Sequence, residues 1–256
     1  MHRRTVDLAA FSDSALIEAI PGASQTDAPA LAVECVRRKL TEAIPAWEEL
    51  CHRFKGFGLN AAVPEQRAAL SALRGLAGPA AAGSVVRLIV SATVQGPGLA
   101  LAIAAAAALG AWLPTQVALP CLRHADPAVR ADACRCVRAS AEIVPTLLDL
   151  LADLHPEVAD AAACALGRAG RVEARSRLVR CLVLNPTPEV IHAFGAVADD
   201  DSAVLLGRLA QSHPNLTEPV LAALEAIDTE PAAVVAAGVR RRVQAPFSFI
   251  SSYGAV

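Results

Sequence analysis

Three histidines, His124, His155 and His213, stand beside proline-led turns, and seven cysteines are scattered along the 256 residues. Imidazole and thiolate are the side chains that most readily hold zinc. Their spacing opposes it here. No Cys-x-x-Cys occurs, Cys134 and Cys136 being only two apart. The histidines recur at one position of a repeated helical pattern, so neighbours in the row stand a helix-packing distance of about 8–10 Å apart. Zinc–nitrogen bonds are about 2 Å long, and Thr187 interrupts the row. A histidine near a helix C-terminus is accounted for by the helix dipole. The adjacent Cys51 and His52 are a nucleophile and base by type, but neighbours in a helix do not face each other. No Gly-rich phosphate loop, G-x-S-x-G or H-E-x-x-H is present. The expectation is a protein that is not an enzyme, with no catalytic residues, cofactor or metal.

The arginines are the second candidate chemistry. Arg168, Arg171 and Arg175 are spaced i, i+3, i+7, with Arg177 and Arg180 beyond them. On one helix they would form a basic strip suited to phosphates. Gly170 interrupts the strip, Asp199, Asp200 and Asp201 follow it, and 23 basic against 25 acidic residues leave a net charge of −2. A nucleic-acid binder carries a clear basic excess or stripe, so a salt-bridged edge is the preferred reading and nucleic-acid binding the alternative. Only Lys39 and Lys55 are lysines, a bias that a GC-rich genome explains as well as selection for bidentate anion contacts does. Arg240, Arg241 and Arg242, near a helix end, suit the dipole.

Hydrophobic residues make up 54% of the chain and aromatics 4%. The apolar content is mostly Ala, Leu and Val, which favours helices over a β-sandwich and excludes a wholly disordered chain. The odd cysteine count reads as buried free thiols in a reducing cytoplasm. Asp7, Ser12 and Asp13 interrupt any apolar run at the start, so no signal peptide is expected. Gly98 to Leu113 is apolar throughout, yet it is shorter than the roughly 20 residues of a membrane span. A helix buried on all sides by its neighbours is the expectation there.

The organising feature is a proline that recurs about every 30 residues, with an apolar residue two positions on, at Pro29, Pro97, Pro127, Pro156, Pro188 and Pro214. A weaker copy stands at Pro64, where Gln66 replaces the apolar residue. Such a period means a stacked array of small units. The clearest unit runs from Ala141 to Gly170. Val144, Leu147, Leu148 and Leu151 form one helical stripe, with Pro145 in the first turn. Pro156 opens a second helix whose stripe is Val158, Ala162, Ala165 and Leu166, and Gly167 and Gly170 are expected to end it. The same offsets give Val129, Ala133, Cys136 and Val137 after Pro127, and Leu216, Val220, Ala223 and Leu224 after Pro214. Ile44-Pro45 and Leu119-Pro120 are taken to lead first helices as Val144-Pro145 does. Each unit is a helical hairpin that needs neighbours to bury its stripe.

HADPAVRADACRCV (124–137) and HPEVADAAACALGRAG (155–170) resemble HEAT repeats, and more narrowly the short HEAT-like repeats first described in phycobilisome lyases. The resemblance spans roughly residues 29–243 and implies an all-α fold, an α-α superhelix of the HEAT/armadillo type with about six to seven hairpins. It implies a protein-binding scaffold or adaptor, for instance in assembly, secretion or toxin immunity. Bilin lyase or isomerase activity is the alternative that the subtype suggests. HEAT-type hydroxylases hold iron with His-Glu pairs, and no His here is followed by Glu. The family's ladder of Asp before Pro and Arg three residues after it is complete only at Asp126 and Arg130. Arg67 lacks its Asp, and Ala159, Ile191 and Thr217 replace the Arg. Stacking is therefore expected to rest on apolar packing.

Residues 1–28 read as an N-terminal cap and linker with a helix from Asp13 to Ile20, and 244–256 as an aromatic tail carrying Phe247, Phe249 and Tyr253. A protein partner is expected, without small-molecule substrate or membrane span. Helical phase puts Arg130, Arg135, Asp160, His192 and Glu218 outward on the proline-led helices as candidate contacts.

Overall fold

The computed structural model describes residues 8–244, and among them every regular element is a helix. The aromatic tail expected after Gln244 lies outside the described residues. Two compact units divide at Arg138 and Ala139.

The first unit holds α1 (Asp13–Ala19), α2 (Ala28–Arg38), α3 (Ile44–Arg53), α4 (Pro64–Leu76), α5 (Gly78–Val90), α6 (Pro97–Ala108), α7 (Thr115–Leu122) and α8 (Pro127–Arg135). Helices α2, α4, α6 and α8 stack in succession as one layer. Helices α3, α5 and α7 pair with the layer as the first halves of hairpins α3–α4, α5–α6 and α7–α8. The second unit holds α9 (Val144–Leu150), α10 (Pro156–Arg168), α11 (Arg175–Leu184), α12 (Pro188–Gly195), α13 (Asp200–Ser212), α14 (Thr217–Ile227) and α15 (Glu230–Gln244). There α10, α12 and α14 stack, and α15 packs on α13 and α14.

The recurring prolines start these helices because a first-turn residue needs no N–H partner. Pro64, Pro97, Pro127, Pro156 and Pro188 are the first residues of their helices, and Pro29 is the second of α2. Two prolines depart from expectation. Pro214 opens a 3-10 turn, Pro214–Leu216, that leads into α14. Pro120 lies inside α7, which begins five residues earlier at Thr115, so it does not lead a first helix as Pro45 and Pro145 do.

The stripes of the proline-led helices are core: Val158, Ala162, Ala165 and Leu166 are buried, as are Val129, Ala133, Cys136 and Val137. In α9 the buried apolar residues are Leu147 and Leu150 with Ile143 before them, while Val144, Leu148 and Leu151 of the expected stripe are half-buried. The apolar stretch at α6 is less enclosed than expected. Helices α4, α5 and α8 cover Ala102, Ile103, Ala105 and Ala106, while Leu99, Leu101 and Ala104 stay half-buried on the uncovered flank. Among the described residues no helix is long and apolar enough to cross a membrane.

Two residues read differently in three dimensions. Gly167 does not end α10, which continues through Arg168; Gly170, at φ 69°, follows the helix. Gly167 is a contact point. A Cβ there would lie 2.7 Å from the Ala193 carbonyl oxygen and 2.7 Å from Leu178 Cδ1. Gly75 meets Val36 of α2 in the same way, and Gly195 meets Ala223 of α14 less tightly. Gln66 is no degraded stripe position either. It is 1% exposed, and its Nε2 donates to the carbonyls of Cys51 (3.2 Å), Phe54 (3.4 Å) and Thr93 (3.1 Å). One amide thus ties the end of α3 to the loop before α6.

Stacking also uses ion pairs outside the expected ladder. Glu48 of α3 accepts from Arg87 (2.6 Å) and Ser84 (2.7 Å) of α5, Arg168 of α10 pairs with Glu189 of α12 at 3.0 Å, and Arg175 of α11 pairs with Asp199 at the start of α13. At the N-terminal end, Arg38 of α2 donates to the Leu8, Ala9 and Phe11 carbonyls and pairs with Asp13.

An alanine normally improves a helix interior over glycine by about 1 kcal/mol. Gly83→Ala in α5, where a Cβ meets only the Arg87 guanidinium at 3.4 Å, should follow that rule and raise the denaturation midpoint. Gly167→Ala should reverse the sign, losing about 1–3 kcal/mol to overpacking. Gln66→Met keeps the volume but strands buried carbonyls, and should cost about 1–3 kcal/mol. Urea unfolding curves of the three variants test each sign.

Candidate partner-binding surface

The five candidate residues are not equivalent. His192 on α12 and Glu218 in the first turn of α14 are exposed. Arg135 is half-buried and pairs with Asp132 one turn back at 2.7 Å. Arg130 Nη1 donates to the carbonyls of His124 (2.8 Å) and Ala125 (2.9 Å), closing the α7–α8 turn. Asp160 is the clearest departure. It accepts from Arg177 Nε at 2.6 Å and from Cys181 Sγ at 3.1 Å, so it fastens α10 to α11. Arg130 and Asp160 face outward by phase, but partners from a neighbouring turn or helix engage them. Arg130 and Arg135 belong to the first unit, and Asp160, His192 and Glu218 to three successive stacked helices of the second.

Four arginines of the strip pair with carboxylates, while Arg180 is exposed with none among the described residues. Arg168 takes Glu189, Arg171 takes Glu173 at 2.6 Å, Arg175 takes Asp199, and Arg177 takes Asp160. Asp199 also caps α13 through a reciprocal bond with Ser202. Arg175 and Ser202 hold its carboxyl down to about 2, the bond from Ser202 contributing most.

His124 serves the turn before α8, whereas His213 caps the end of α13 as the helix-end expectation has it. His124 Nδ1 accepts the Asp126 amide at 3.0 Å while Asp126 caps α8, and His213 Nδ1 lies 2.9 Å from Ser212 Oγ. Cys51 and His52 diverge. Burial pushes the Cys51 thiol up to about 12, whereas half-exposed His52 bonds Thr93 Oγ1 at 3.1 Å through Nδ1. All seven cysteines are buried and free. Burial likewise raises Cys164 to about 12 and Cys35 and Cys181 to about 11. Thiolate nucleophiles need the opposite shift. Among the described residues no three His, Cys, Asp or Glu side chains converge to hold a metal.

One concavity is lined by none of the five candidates. A groove of about 800 Å³ runs between α2 and α4. Its floor is Pro29, Ala32, Val33, Val36, Pro64 and Ala68, and its rim carries Arg37, Arg67 and Arg74. Arg37 is held by Glu34, whose carboxyl Arg37 and Arg38 keep at about 2. Arg67 and Arg74 are exposed, and among the described residues neither has a carboxylate partner. The sequence signal for this rim is two arginines seven apart on one helix. Ladder reasoning singles out Arg67 only as an arginine lacking its aspartate.

Residues 115–198 match the family model for HEAT repeats. No curated protein matches the chain, and no solved structure does. The match and the all-helical hairpins agree on the repeat type and do not distinguish the phycobilisome-lyase subtype.

Raised thiol pKa values give a direct test. Cysteine in the unfolded chain ionises near 9 and in the fold near 11–12 at the four most shifted sites. The native protein should therefore react only slowly with a thiol reagent at pH 8, and all seven thiols should react at once in guanidinium. Because the folded pKa values are the higher ones, the stability they contribute is intact below about pH 9 and falls as the pH rises toward 12.

Proposed function

We propose that this chain, whose residues 115–198 match HEAT repeats, is a non-enzymatic scaffold or adaptor that binds a partner protein on the faces of its stacked helices. The observation that carries the reading is the run of HEAT repeats at 115–198, because stacked hairpins present extended surfaces suited to binding. The chemistry around it agrees. Thiols are buried, His124 serves a turn and His213 a helix end, and arginines such as Arg168 and Arg177 are spent on carboxylates of the fold. His192 and Glu218 are the candidate contacts with the fewest internal ties, followed by Arg135. Roles in assembly, secretion or toxin immunity are versions of this reading.

The test is affinity capture with the full chain from extracts of its native source, identified by mass spectrometry. One protein should be retained in near-stoichiometric amount at physiological salt, with no change in the absorption of an added bilin. The reading is overturned if no protein is retained while duplex DNA binds with a steep salt dependence, or if a bilin is transferred to an acceptor protein.

A further inference from the structure

Within the first unit, the stacked helices α2 and α4 leave a long furrow between them. Its lining advances along both helices at i, i+3, i+4 and i+7, through Pro29, Ala32, Val33 and Val36 on one side. On the other side Arg67, Ser71 and Arg74 mark successive turns of α4. The furrow is bounded at one end by Gly75, whose missing Cβ lets Val36 approach; a Cβ would lie 2.7 Å from Val36 Cγ2. Val33 stands 71% exposed in the middle of it.

What distinguishes this furrow is open charge beside an apolar floor. Some arginines meet carboxylates of neighbouring helices, as Arg87 meets Glu48 and Arg168 meets Glu189, while Arg180 and Arg208, like Arg67 and Arg74, are exposed with no carboxylate partner among the described residues. Here Glu34 is already consumed by Arg37 and Arg38, and Arg67 and Arg74 face solvent with no carboxylate among the described residues. Two unneutralised guanidiniums, two helical turns or about 10 Å apart, flank an apolar floor. Phosphodiester backbones would satisfy the arginines but leave that floor bare. An amphipathic helix with acids on its flank satisfies both.

We propose that the α2–α4 groove is the seat of an acidic amphipathic helix of a partner protein, whose apolar stripe covers Val33 and Val36 and whose carboxylates, two turns apart, pair with Arg67 and Arg74. This deepens the protein-binding reading by naming the surface and the partner's chemistry, and it rests on that reading. Helix-in-groove recognition uses i, i+3, i+4, i+7 anchors, and complementary charge sets register and partner choice.

The experiment uses the full chain and a fluorescent peptide of about 16 residues, enough to span the groove, with leucines at i, i+3, i+4 and i+7 and glutamates on the flank. Fluorescence anisotropy should show saturable binding. A peptide with lysine for every glutamate should bind at least tenfold more weakly. The double variant Arg67→Glu, Arg74→Glu should lose on the order of tenfold, and Val33→Glu a similar factor. Arg208→Glu, on exposed α13 surface, should bind as the parent does. All these positions are exposed, so melting temperatures should hold and report folding independently. Equal binding of the acidic and basic peptides, or an unaltered affinity in the double variant, overturns the proposal. So does a duplex oligonucleotide that binds more tightly than the peptide and is lost in the double variant. Failure of the groove is distinguishable from failure of the binding role. If the double variant captures the native partner as well as the parent does, the groove falls and the role stands. If the parent captures none, the role falls with it.

Discussion

Close approach of consecutive stacked helices is the constraint on which the rest of each unit depends. Small residues permit it. Gly167 lies against Ala193 and Gly75 against Val36 at distances where one added methyl would collide, and Gly195 lies against Ala223 where a methyl would fit only if the neighbour gave way. Dispersion falls steeply with separation, so helices held this near gain contact along their whole length. Alanine serves the same end in α10, where Ala159, Ala161, Ala162, Ala163 and Ala165 are all buried.

Tight stacking leaves few polar groups room for indecision. Where a polar side chain enters the interior it bridges elements, as Gln66 does with its three carbonyls. Where it lies between hairpins it pairs, as Glu48 does with Arg87 and Asp160 does with Arg177. These contacts replace the Asp–Arg ladder that the repeat type leads one to expect, so apolar packing is not the sole force between repeats. The same economy removes candidate chemistry. Burial shifts the thiols of Cys35, Cys51, Cys164 and Cys181 away from thiolate, and the imidazoles of His124 and His213 are drawn into a turn and a helix end.

Much of the fold is legible in the chain because proline and helical period are local signals. A residue without an N–H is tolerated in a first turn and costly later, so Pro127, Pro156 and Pro188 announce helix starts. Pro120 misleads for the same reason. Its neighbours look like a helix start, but α7 already begins at Thr115, upstream of the proline. Gly167 reads as a stop because glycine commonly follows helices, yet its job is steric and depends on Ala193, a residue from the next hairpin. Asp160 has the phase of an outward contact, and only the arrival of Arg177 from α11 withdraws it.

The chain by itself determined where most proline-led helices begin, the stripes that α8 and α10 bury, and that helices pair into hairpins, because these follow from backbone chemistry and a period that every residue carries with it. Only the tertiary structure decided which charges remain available. An arginine's state depends on whether a carboxylate from another helix comes within reach, and that is a matter of distance rather than spacing. By that criterion Arg168, Arg175 and Arg177 are spent inside the fold, while Arg67 and Arg74 stand open beside an apolar groove.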